Sequence, residues 1–169
     1  MRFSHLLNVW SQRINTFLER VSALLFIVMT FIVWAQVFLR HLLGGGIVWA
    51  EEISKYMMVW MALLGSAVVY YENGHIAIEF IISKFRCLRG IRIFHVVVSL
   101  FLFVLLIIYG FDYAEFGKRL ISPASGLRKF WPYLAIPVGG IFLLLQGVIR
   151  LLKLVMGTSE LNGPNTITQ

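Results

Sequence analysis

One cysteine, Cys87, is present in 169 residues. A single thiol excludes an internal disulfide, a thiol-redox pair and a multi-cysteine metal site. Charge is also scarce: only 14% of residues are charged, whereas 59% are hydrophobic and the mean hydropathy is +0.83. A soluble domain of this size carries about a quarter charged residues, so a water-facing surface could not be covered here. Catalytic motifs are missing too. No serine lies in a G-x-S-x-G context, no H-E-x-x-H occurs, and no glycine-rich loop has a phosphate-binding pattern. No catalytic residue, cofactor site or metal site is assigned.

The apolar residues fall into four blocks, at about 21–39, 53–71, 94–111 and 131–148. A bilayer core of roughly 30 Å needs about 20 mostly apolar residues per spanning helix, and all four blocks meet that length. The expected fold is an all-α integral membrane protein with four transmembrane helices. Residues 1–157 form a single transmembrane domain, and the polar tail 158–169, with Gly163-Pro164, is expected to be disordered. The first block begins after about twenty residues, lacks an A-x-A-like cleavage site and ends in Phe38-Leu39-Arg40. It reads as a retained helix rather than a signal peptide.

Two further segments read as interfacial helices. Before the first span, Phe3, Leu6, Leu7, Trp10, Ile14, Phe17, Leu18 and Val21 recur at helical spacing, with Ser4, Asn8, Gln12, Asn15 and Glu19 between them. That is one apolar stripe, continuous with the first span. After the Asn73-Gly74 turn, Ile78, Ile81, Ile82, Phe85 and Leu88 lie opposite Glu79, Ser83 and Arg86. This stretch is too short and charged to span, and is expected to lie among headgroups.

The net charge of +7 has a simpler reading than nucleic acid, because the basic residues sit between the apolar blocks. Arg2, Arg13, Arg20, Lys84, Arg86, Arg89, Arg92, Arg150 and Lys153 fall on one side; Arg40, Lys55, Lys118, Arg119, Arg128 and Lys129 fall on the other. The positive-inside rule then places both termini in the cytoplasm.

Polar features inside the spans are few. Val21 to Leu39 and Tyr56 to Tyr71 contain no charge, and Thr30, Gln36, Ser66, Ser99 and Gln146 are read mainly as interhelical hydrogen-bond formers. A self-sufficient secondary transporter shows repeats and broken helices with polar groups near the midplane, and neither is evident. His5, His41, His75 and His95 all lie at or beyond span edges, which disfavours an axial haem pair. A membrane anchor of a haem- or quinone-linked redox complex is the alternative from another class.

Gly44-Gly45-Gly46 breaks the chain after the first span, and Trp49-Ala50-Glu51-Glu52 opens the second. Carboxylates suit a helix start, and Glu51 stands four residues before Lys55, the favoured order for an intrahelical pair. Glu52 is left free for a partner group. In the fourth span Gly139-Gly140 and Gly147 thin one side for close helix approach.

Trp49-Ala50-Glu51-Glu52, Trp60, Leu64-Gly65 and His75-Ile76 together resemble the signature of the small membrane subunit of TRAP transporters, the DctQ type. Ser122-Pro123, Trp131, Tyr133 and Ile136-Pro137-Val138-Gly139 fit the same family, over about residues 21–152. The resemblance implies a three-part system of bacterial inner membranes. A periplasmic substrate-binding protein captures an organic anion, of the sialic acid or dicarboxylate kind, and a large membrane subunit moves it with sodium. The small subunit is expected to scaffold that large subunit, with substrate and sodium sites in its partners. On this resemblance Trp49, Glu51, Glu52, Lys55, Trp60, Gly65 and His75 are partner-interface candidates. Arg40, Lys118, Arg119, Arg128 and Lys129 are candidates for docking the binding protein, and membrane lipids surround the whole.

Overall fold

The computed structural model of the chain describes residues 2–44, 47–73 and 88–155. Its helices are α1 (Arg2–Leu43), α2 (Val48–Asn73), α3 (Leu88–Gly117), the single turn α4 (Phe130–Tyr133) and α5 (Ala135–Val155). Among the described residues four stretches are long and apolar enough to cross a membrane: Val9–Leu42, Val48–Tyr71, Ile93–Gly117 and Phe130–Leu152. The in-plane segment expected after Asn73 and the tail 158–169 lie outside the described residues.

Local chemistry sets the ends of these helices. Arg40 and His41 occupy the last turn of α1, where cations offset the carbonyl end of the dipole. Gly44 follows at φ +67°, a left-handed cap that glycine adopts without Cβ strain. Leu134 alone separates α4 from α5; Pro137, in the first turn of α5, has no N–H to give Tyr133 and its ring crowds that carbonyl, so the ladder is interrupted there. It resumes when Val138 N–H reaches Leu134 O at 3.2 Å.

The helices pack in the order α1, α2, α5, α3, with α1 also touching α5. One apolar cluster joins all four, through Leu18 of α1, Leu64 and Ala67 of α2, Phe103 of α3 and Leu143 of α5. Tyr70 meets Phe103 edge-on at 5.3 Å between ring centres, tying α2 to α3. The glycines of α5 serve two faces rather than the one side expected from sequence. A Cβ on Gly139 would stand 2.8 Å from Leu63 Cβ on α2, whereas Cβ atoms on Gly140 and Gly147 would meet Ile107 and Leu100 of α3 at 3.0 and 2.9 Å. Small residues replace the hydrophobic effect as the means of association, because lipid tails are as apolar as the side chains.

The polar residues inside the spans divide. Ser11 Oγ donates to Gln146 Oε1 at 2.7 Å, a bond between α1 and α5 across 135 residues. Thr30, Ser66 and Ser99 instead donate to carbonyls four residues back in their own helices, at 2.7, 2.6 and 2.9 Å. The interhelical role expected of those three is thus replaced by an intrahelical one, since a hydroxyl in lipid can satisfy itself locally.

The first half of α1 presents part of its apolar stripe outward, as an interfacial segment would. The helix is continuous with the span, but Ser11, Asn15 and Leu18 face the bundle, while Trp10 and Phe17 are 66% and 61% exposed. In water the apolar stripe would be buried. Against hydrocarbon the polar groups turn inward to find partners and the large apolar groups turn outward.

The glycine contacts give a paired test. Gly139→Ala should lower the stability of the detergent-solubilised chain by about 1–3 kcal/mol, the usual cost of overpacking. Gly65→Ala, where nothing lies within 4 Å, should be neutral or stabilising by up to about 1 kcal/mol, the helix penalty of glycine. SDS-induced loss of helix, followed by circular dichroism, separates them; equal effects would show that Gly139 is no tight contact.

Candidate functional site

The residues singled out at the start of α2 lie beside the loop that joins α3 to α4. Glu51 and Lys55 form the expected pair, Oε1 to Nζ 2.7 Å, with both side chains 65% exposed. Exposed helix pairs contribute little, so this one supports its own turn and no more.

Glu52 is not free. Its Oε1 accepts the Tyr56 hydroxyl at 2.7 Å, one helical turn on. Its Oε2 accepts the backbone N–H of Ser125 at 2.9 Å, from a residue 73 positions away. A carboxylate holding a loop amide is a charge-assisted bond, stronger than its neutral counterpart. Helix α2 therefore carries a latch for the loop.

The loop itself, residues 118–129, is built tightly. Ile121 and Arg128 form an antiparallel bridge. Ser122 N–H donates to Leu127 O at 2.9 Å, Gly126 N–H to Ser122 O at 3.0 Å, and Lys129 N–H to Leu120 O at 2.9 Å. Gly126 supplies the positive φ, +68°, that closes the turn. At its base, a Cβ on Gly117 would meet Tyr133 Cδ2 at 2.7 Å, so only glycine lets the end of α3 lie against α4. Tyr113 and Tyr133 stack there at 4.4 Å between centres. Trp60 Nε1–H donates to Trp131 O at 3.3 Å, joining α2 to the same turn.

Of the sequence candidates, Glu51, Glu52, Lys55 and Lys129 come together around a cleft of about 390 Å³, with Tyr56 and Tyr133 as further walls. Trp49 is exposed at the same end of α2, and Trp60 lies two turns below the latch. Gly65 sits farther down α2 with open space beside it. His75 lies outside the described residues. Arg119 and Arg128 are exposed on the loop. Lys118 is partly spoken for, at 3.6 Å from Glu115 and 5.4 Å over the Phe130 ring. Arg40 is exposed at the end of α1.

Ser125 and Tyr56 were missed. Tyr56 stands four residues after Glu52, the same spacing that identified Glu51 and Lys55, so its signal was present. Ser125 contributes a backbone amide, which no residue pattern announces. Among the described residues no three His, Cys, Asp or Glu side chains gather as a metal site would require. The loop offers exposed Ile121 and Leu127 beside two arginines. Such a surface can bind a partner; it holds no nucleophile placed beside a base.

Comparison with known proteins agrees with that character. Residues 29–157 match the family described as tripartite ATP-independent periplasmic transporters, DctQ component. A Haemophilus influenzae protein carrying the name TRAP transporter small permease protein is 29% identical over 145 residues, covering 84% of this chain and 89% of its own. The sialic acid TRAP transporter small permease protein SiaQ of Vibrio cholerae is 27% identical over 155 residues, 87% of this chain and 88% of that one. The sialic acid TRAP transporter permease protein SiaT of Haemophilus influenzae is 28% identical over 141 residues. There the match covers 79% of this chain but only 22% of the longer relative.

The latch can be read directly by amide hydrogen exchange on the purified chain. Glu52→Ala should speed exchange at Ser125 by about an order of magnitude, as a loop amide loses its acceptor. Glu51→Ala should leave that amide unchanged. If both variants exchange like the parent chain at Ser125, the carboxylate does not hold the loop.

Proposed function

Because the chain belongs to the DctQ component family of the tripartite ATP-independent periplasmic transporters, we propose that it scaffolds a large permease subunit and presents a rigid basic loop to a periplasmic substrate-binding protein. It is a small permease subunit of the membrane, a transport component that works with a large permease. In our reading sodium coupling and the path of an organic anion belong to the large subunit. The dry spans of this chain support that division. The relatives SiaQ and SiaT are named for sialic acid, and we extend to this chain only the wider class of carboxylate-bearing anions. Both termini are assigned to the cytoplasm from the distribution of basic residues, so the loop faces the periplasm.

The Glu52 to Ser125 bond is the observation that carries this reading. A loop that only met headgroups could remain pliant. A loop that docks a soluble protein gains from being held in one shape beforehand, because less ordering entropy is lost on contact. Arg119 and Arg128 project from the held loop, and Arg40 stands near Glu51 at the neighbouring helix end. This rim suits an acidic surface on the soluble partner. Glu52 then acts by positioning the loop, in place of the direct partner contact expected from sequence.

Rim charges govern association rate and salt dependence more than events at saturation. In proteoliposomes holding both membrane subunits, Arg119→Glu with Arg128→Glu should raise the binding-protein concentration for half-maximal uptake about fivefold or more at low salt. The difference should shrink near 0.15 M salt, where screening acts beyond about 8 Å. The maximal rate should stay close to that of the parent complex. A large fall in maximal rate with unchanged concentration dependence would assign the loop a structural role instead.

A further inference from the structure

Two clefts on α1 share a wall. The first, of about 450 Å³, is lined by Gln12, Arg13, Thr16, Phe17 and Arg20. The second, of about 390 Å³, lies between α1, α2 and α5, where Phe17, Val21, Leu25, Trp60, Leu64 and Phe142 line it. Phe17 belongs to both. The first carries two guanidinium groups and two neutral polar side chains. The second has no free polar side chain, because the indole N–H of Trp60 is directed to Trp131 O.

The two also differ in depth. The basic cleft sits toward the start of the first span, and the apolar one sits further along it. From Thr16 to Leu25 is nine residues, about 13 Å of helix. That is close to half of a hydrocarbon core of roughly 30 Å, the thickness of one leaflet. Arg13 and Arg20 are seven residues apart, two turns on one face and about 10 Å between their levels. Neither forms an ion pair among the described residues.

We propose that this pair of clefts is a binding site for one anionic glycerophospholipid, with its phosphate between Arg13 and Arg20 and an acyl chain passing Phe17 into the groove. Charge decides the occupant. A partner helix could fill the apolar groove but would have no use for two arginines at its mouth. A phospholipid uses both parts in the order the span presents them, head at the membrane edge and tail toward the centre. Guanidinium is weakly hydrated and matches phosphate oxygens two at a time, which suits it to this depth. The inward turn of Ser11 and Asn15 is what swings Phe17 outward to the junction of the clefts.

The test uses the full chain in phosphatidylcholine nanodiscs doped with phosphatidylglycerol that carries a diazirine midway along one acyl chain. After irradiation, adducts are mapped by mass spectrometry. Adducts are expected on Leu64 or Phe142, and unlabelled phosphatidylglycerol should compete them away. Arg13→Gln and Arg20→Gln should each lower their yield about fivefold, the weight of one basic residue at an anionic surface. Val21→Phe, which fills the groove and leaves both arginines in place, should remove groove adducts while helix content stays normal. The proposal is overturned if a diazirine phosphatidylcholine labels the groove equally, or if the arginine variants label as the parent does. Competition by inorganic phosphate alone would make this a free-anion site, and loss of adducts when the large permease is bound would give the groove to that partner.

Discussion

The contact between Gly139 of α5 and Leu63 of α2 is the joint on which the rest of the chain depends. Helix α1 packs chiefly on α2, and α3 packs chiefly on α5, so the two halves meet through this pair. In a bilayer there is no water to expel between helices. Close approach, dispersion and a few hydrogen bonds must hold them. Glycine at 139 permits the approach toward α2, while Gly140 and Gly147 permit a second one toward α3. Helix α5 is therefore thin on two sides and central for that reason.

At both ends of the joint, polar groups finish what packing begins. Near the start of α1, Ser11 reaches Gln146. Arg150 donates to Tyr70 O at 3.2 Å, one of the last carbonyls of α2, and lies 5.2 Å over the Tyr70 ring. A cation suits that helix end, where carbonyls have no partner in their own helix. At the other end, Glu52 and Trp60 tie α2 to the loop and turn that follow α3. The chain is thus cross-braced at two levels, which fits the scaffold role we propose.

Much of the helical architecture was legible in the sequence, because spans and their breaks are written in local composition. Gly44 ends α1 and the carboxylates open α2 as expected, and Glu51 finds Lys55 at the spacing that identified it. What could not be read was any choice that depends on distant residues. Glu52 looked free because its second partner is an amide 73 positions away. The stripe through Trp10 and Phe17 identified an outward-facing interfacial segment, but periodicity could not show that Leu18 of the same stripe turns into the bundle. Thr30, Ser66 and Ser99 could bond within or between helices, and only their surroundings select between the two.

A braced, dry bundle beside a latched basic loop has the character of the scaffold we propose, with the solute path in the large subunit. Native mass spectrometry of this chain co-expressed with its large permease subunit, released from mild detergent, tests that claim most directly. One copy of each chain in a single stable complex is the expected result. Recovery of this chain folded and alone, with the large subunit by itself supporting full binding-protein-dependent uptake, would contradict it.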